Sequence, residues 1–124
     1  MAEPSFAIDA DARAQFLKLT LVGDWDAAIT ARFAAEVMAT LRGMMSGGMA
    51  HGQLRTLLDM RRKGVVPQVV ANEFARILHK DSPSRRVAIL ASGALHRLQV
   101  KRLMDDRCAL FDTEEEARAW LFAD

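Results

Sequence analysis

One cysteine, Cys108, stands among 124 residues, so no internal disulfide can form and a reducing compartment is the expected setting. No stretch approaches the ~20 consecutive apolar residues that span a bilayer. The opening Met-Ala-Glu-Pro-Ser-Phe-Ala lacks the basic start and apolar core of a signal peptide. A cytoplasmic location and no integral membrane segment are therefore expected. Neither sign of charge dominates: 17 Lys and Arg face 16 Asp and Glu, for a net charge of +1. That balance gives no global pull towards nucleic acid, and any basic site must be local. His51, His79 and His96 show no metal-ligand spacing, and a lone cysteine supports no zinc site. Gly47-Gly48 lacks the Lys-Ser/Thr ending of a phosphate loop, and neither a dinucleotide fingerprint nor a Gly-x-Ser-x-Gly elbow occurs. Thus no metal, cofactor or catalytic residue is expected. Internal repeats and linker-like tracts are also missing, which leaves residues 1–124 as a single domain.

What the chain does contain is a central apolar run, Leu54, Thr56, Leu57, Leu58 and Met60, followed by Arg61-Arg62-Lys63-Gly64. A short run of this kind between glycines suits a strand buried on both faces. Before it, Phe6, Ile8 and Ala10 alternate with polar or small residues, and Leu17, Leu19 and Leu21 do the same up to Gly23. The short Asp11–Ala14 connection makes these two runs an antiparallel hairpin. Asp26 is placed to cap a helix of about four turns whose stripe is Ile29, Phe33, Val37 and Leu41, with Gly43 as its stop. Met44 to Gly52 then reads as a loose loop, and Met44, Met45 and Met49 in it as a connector or a soft contact surface.

Beyond the central run, Pro67 fits the first position of a second helix carrying Val66, Val70, Phe74 and Leu78, which Ser82-Pro83-Ser84 ends. Val87 to Ala91 is another buried parallel strand. Ser92 is read as the cap of a third helix, with Leu95, Leu98 and Leu103 inward and Arg97, Lys101 and Arg102 mostly outward. Cys108 to Phe111 forms a last short strand, its thiol buried and inert. Thr113-Glu114-Glu115-Glu116 is a capping box that starts a fourth helix carrying Trp120 and Leu121. The expected architecture is α/β, in the order β-β-α-β-α-β-α-β-α: a mixed five-stranded sheet, hairpin first and the rest parallel, with four helices.

This order, together with Val-Gly closing the second strand, Leu-Leu-Asp-Met in the third and the closing Phe-Asp-Thr-Glu-Glu-Glu-Ala-Arg-Ala-Trp-Leu, resembles the STAS domain. More narrowly it is similar to the SpoIIAA-like branch of uncharacterised bacterial proteins related to anti-sigma-factor antagonists. The resemblance covers nearly the whole chain and implies a superhelical βα fold and a non-enzymatic regulatory or protein-interaction role. The antagonists carry a phosphorylatable serine after the strand that Leu54–Met60 matches. Here Arg61 to Val66 holds no Ser or Thr. Phosphate has no hydroxyl to attach to, so no phosphosite is expected.

Ligands of parallel sheets bind beyond the carboxyl ends of the strands, which directs attention to Asp59–Gly64. Asp59 reads as an acid capping neighbouring amides. Arg61, Arg62 and Lys63, placed together in a loop before the free amides of the helix at Pro67, read either as a solvated loop whose repulsions are screened or as a site for an anion, a lipid head group or an acidic partner surface. Asp24 and Trp25 should lie at the same sheet end, Trp25 either stacking on a ligand or covering the start of the first helix. Ser92 and His96 approach from the next strand, and a Ser-His hydrolase is the remote alternative. The first strand, at a sheet edge and free of proline, is expected to pair with another copy as a homodimer.

Overall fold

The computed structural model describes residues 3–50, 52–63, 84–91, 93–102 and 106–123, with the backbone alone for 63, 94–96 and 99. The period-two runs form β1 (Ser5–Asp11) and β2 (Phe16–Gly23), paired antiparallel. Gln15, with φ of 53°, closes their turn, and the Asp11 carboxylate accepts from the Arg13 and Ala14 amides. Gly23, at φ 90°, ends β2 in a conformation that disfavours a side chain.

Asp26 caps α1 (Ala27–Ser46) by accepting from the Ile29 amide. The helix is longer than its stripe suggested. Gly43 lies inside it, and the end comes at Gly47, whose amide donates to the Gly43 carbonyl. Met44 and Met49 are consequently buried core residues and only Met45 is exposed, which corrects the reading of this stretch as a loose connector. The expected central strand is β3, but it runs Leu54–Lys63, so the basic triplet belongs to a strand and not to a loop. β4 (Ser84–Leu90) begins three residues before the expected Val87. The second predicted helix, behind Pro67, lies outside the described residues.

α2 (Ala94–Lys101) has Gly93 at its N-cap position, without a side-chain bond, and the cap expected at Ser92 lies outside the described residues. Its phase also differs from expectation: Leu98 is exposed and Val100 is buried in the core. β5 (Cys108–Phe111) leads to α3 (Glu114–Leu121), where Thr113 accepts from the Glu116 amide as a capping box requires. The Thr113 hydroxyl in turn donates to Glu116 Oε1, so that carboxylate accepts from the hydroxyl and not from the Thr113 amide. Cys108 is half-buried, less enclosed than a core thiol.

The sheet order is β1-β2-β3-β4-β5, with every pairing after the hairpin parallel. Leu57 and Leu58 on β3 are each almost wholly enclosed, as the middle strand of a two-faced sheet must be. One face carries Leu17, Leu19, Leu21, Leu58 and Ile89, packed with Phe33 and Val37 of α1 and Val100 of α2. The other carries Phe16, Leu57, Ala88 and Leu90, covered by Ala117 and Leu121 of α3. Among the described residues no helix is long and apolar enough to cross a membrane.

Candidate functional site

The site is built by an irregularity in β3. Thr20 of β2 is in register with Asp59, but Val22 is in register with Arg62, so β3 holds one extra residue between them. Such a bulge re-aims the side chains beyond it. Strict alternation would place Arg62 on the same face as Met60, over the α1 core. With the extra residue it shares the face of its register neighbour Val22, the face that also bears Lys18 and Thr20. Asp59 holds the bulge in shape: its Oδ1 accepts from the Arg61 amide and Nε, and its Oδ2 from Arg61 Nη2 at 2.9 Å.

Lys18 comes from the outward row of β2. Its Nζ donates to Glu114 Oε1 at 2.9 Å, and Arg118 Nε donates to the other oxygen of Glu114 at 2.7 Å. Together Lys18, Thr20, Leu21, Asp59, Arg61 and Arg62 line an open cleft of about 490 Å³ beside the N-terminal end of α3. Lys18 and Arg61 are each joined to a carboxylate. Arg62 is exposed and makes no ion pair with any described residue. Among the described residues the lining is therefore positive on balance.

The carboxyl groups that pair with the cleft's Arg61 and Lys18 are held ionised. Burial pushes the Asp59 carboxyl up, but its bonds to the Arg61 side chain and amide, with the charges of Arg61 and Lys18, outweigh that and set it below the usual carboxylate range. Hydrogen bonds from Lys18 and then Arg118 lower Glu114 despite its partial burial. Both groups therefore act at neutral pH as fixed anions that orient the cations, not as acids with a proton to give.

Of the residues singled out in the sequence, Asp59, Arg61 and Arg62 are brought together. Their convergence differs from the one expected, because Arg61 folds back onto Asp59 while Arg62 lines the same cleft as Lys18. Lys63 continues β3 in register with Gly23. Asp24 is exposed just beyond the end of β2, at the same end of the sheet. Trp25 is not available to a ligand: it is 5% exposed, donates its indole N–H to the Val22 carbonyl at 2.9 Å, and packs edge-on to Phe33 with centroids 5.2 Å apart. It closes the start of α1 against Phe6 and Phe33 because a ring of this size gains most by burial there. His96 lies in the first turn of α2; Ser92, like the helix start at Pro67, falls outside the described residues.

Sequence reasoning missed Lys18, Thr20 and Glu114. The first two were legible as the outward members of an alternating strand. Their pairing across 96 residues with Glu114 was not, since it depends on α3 lying over the sheet. Among the described residues no group of three or more His, Cys, Asp or Glu is arranged to hold a metal ion.

Comparison with solved structures finds a crystal structure of an uncharacterised protein of the DUF3478 family with a SpoIIAA-like fold, from Shewanella loihica PV-4. The two chains superpose with a TM-score of 0.68 over 98% of each, at 17% sequence identity. At that identity the likeness shows the fold: an α/β, SpoIIAA-like and hence STAS-like domain with a five-stranded mixed sheet and an N-terminal hairpin. No family model and no curated protein matches the sequence.

Proposed function

We propose that this SpoIIAA-like domain is a non-enzymatic regulatory or protein-interaction module. In this reading an anionic group of a partner enters the cleft formed by Lys18, Thr20, Asp59, Arg61 and Arg62. The observation that carries it is the placement of Arg62. The bulge sets this guanidinium on the open face beside Lys18, with no carboxylate among the described residues to satisfy it. An incoming carboxylate or phosphate gains a charge-assisted, two-pronged bond from Arg62 and the attraction of Lys18. Neither existing ion pair has to break for that contact to form. With no hydroxyl between Arg61 and Val66, the charge is supplied by the partner and not by phosphorylation of that segment. The polar lining favours an acidic protein surface over a lipid, whose acyl chains need an apolar cavity. Action in the cytoplasm fits the lone, half-buried cysteine.

Isothermal calorimetry with inorganic phosphate and with a hexaglutamate peptide tests the reading, using the wild type and Arg62→Ala. Affinity in the millimolar to micromolar range is expected, weakened roughly five- to tenfold in the variant. Absence of binding, or equal binding by both proteins, contradicts it.

A further inference from the structure

The outer edge of β1 is a second surface, on the far side of the hairpin from the cleft. We infer that β1 accepts an extended segment of another protein as an added antiparallel or parallel strand, and that this segment alternates basic with apolar residues. Among the described residues β1 is terminal in the sheet order and pairs with β2 alone, so its other row of amides and carbonyls has no described strand beside it. Its register with β2 runs unbroken over seven residues, Ser5 to Asp11, with no bulge. No proline or lysine occurs in it either, the usual devices that blunt an edge.

The chemistry of the guest follows from the two faces of this strand. Phe6 and Ile8 point to the α1 side, half-buried against the core, and offer apolar contacts to every second residue of an added strand. Ala7, Asp9 and Asp11 face the opposite way and are exposed. Asp9 is in register with Lys18, yet Lys18 is drawn to Glu114, and Asp9 makes no ion pair among the described residues. Asp11 uses one oxygen to cap its own turn. Cross-strand neighbours of opposite charge stabilise a pair of strands and like charges oppose it. A second copy paired antiparallel about Ile8 would gather Asp9 and Asp11 of both chains on one face. The same carboxylates attract a strand bearing Lys or Arg. Backbone bonds along the edge supply affinity and the alternation supplies selectivity, as in other strand-addition complexes.

Two nine-residue peptides test this, one alternating lysine with valine and one alternating glutamate with valine, each added at low salt to isotope-labelled protein. The lysine peptide is expected to shift and protect the amides of Ser5 to Asp11 while those of α1 stay in place. Asp9→Asn should weaken it about threefold, as one exposed ion pair does, and Asp9→Lys should transfer the preference to the glutamate peptide. Arg62→Ala should leave this binding unchanged, which separates it from the cleft. Three results overturn the inference: unmoved β1 amides, equal response to the two peptides, or a dimer of the peptide-free protein whose β1 amides lose protection on dilution.

Discussion

The two faces of the sheet are held in different ways. On one, α1 lays Ile29, Phe33 and Val37 onto a continuous apolar layer, and Phe6, Trp25 and Phe33 interlock around the outer edge. On the other, the eight-residue α3 contributes Ala117 and Leu121 to a small patch and is fixed at both ends by cations. Lys18 holds Glu114 at its first turn. Arg55 donates to the Leu121 carbonyl, and Arg86 donates to the carbonyls of Trp120 and Ala123 while stacking on the Trp120 ring. Cations at the carboxyl end and a carboxylate at the amino end both follow the helix dipole. The apolar face is a structural body. Among the described residues the charged face is where side chains reach solvent, and the cleft lies on it where α3 leaves the sheet uncovered.

The largest effect is expected where the first face is broken. Phe33 is 0% exposed at the centre of the aromatic cluster. Phe33→Ala should lower unfolding stability by about 3–5 kcal/mol in urea titrations. Leu121→Ala, on the other face, should remove about 2–4 kcal/mol. Hydrogen exchange sharpens the contrast: in Leu121→Ala the α3 amides should lose protection well before those of α1, whereas Phe33→Ala should release α1. Arg86→Ala removes two bonds to helix-end carbonyls, at 2.6 and 2.8 Å, and should weaken α3 docking by about 1–2 kcal/mol.

Acid provides the mildest version of the same test. The folded-state values of Glu114 and Asp59 are depressed, so the stability they lend is fully present above their unfolded values of about 4.3 and 3.9. It is lost as pH falls through the lower folded values. Exchange at α3 and at the bulge should therefore rise in that window, while α1, whose contacts are apolar, keeps its protection.

Much of this contrast was written locally in the sequence. Alternation along β1 and β2 gives the hairpin, Asp26 and Thr113 mark two helix starts by their own hydrogen bonds, and Leu57-Leu58 signals the two-faced middle strand. Long-range features were not legible. The bulge at Asp59–Arg62 leaves no composition signal, because it exists only as a mismatch of register with β2. A buried Trp25 depends on Phe6 and Phe33 coming from separate elements to meet it. Helix phase at α2 was misjudged because Val100 and Leu98 are equally apolar, and only docking decides which faces the sheet. The cleft required both kinds of information. Its cations were visible as a basic triplet, whereas their division between Asp59 and the face of Lys18 was set by the fold.

Backbone amide shifts measured during titration with inorganic phosphate, on the wild type and on Arg62→Ala, test the central claim most directly. The account predicts changes confined to Lys18, Thr20 and Asp59–Arg62 on the charged face, largely abolished in the variant, with α1 silent. Shifts centred on α1, no shifts at all, or an unchanged pattern in Arg62→Ala would contradict it.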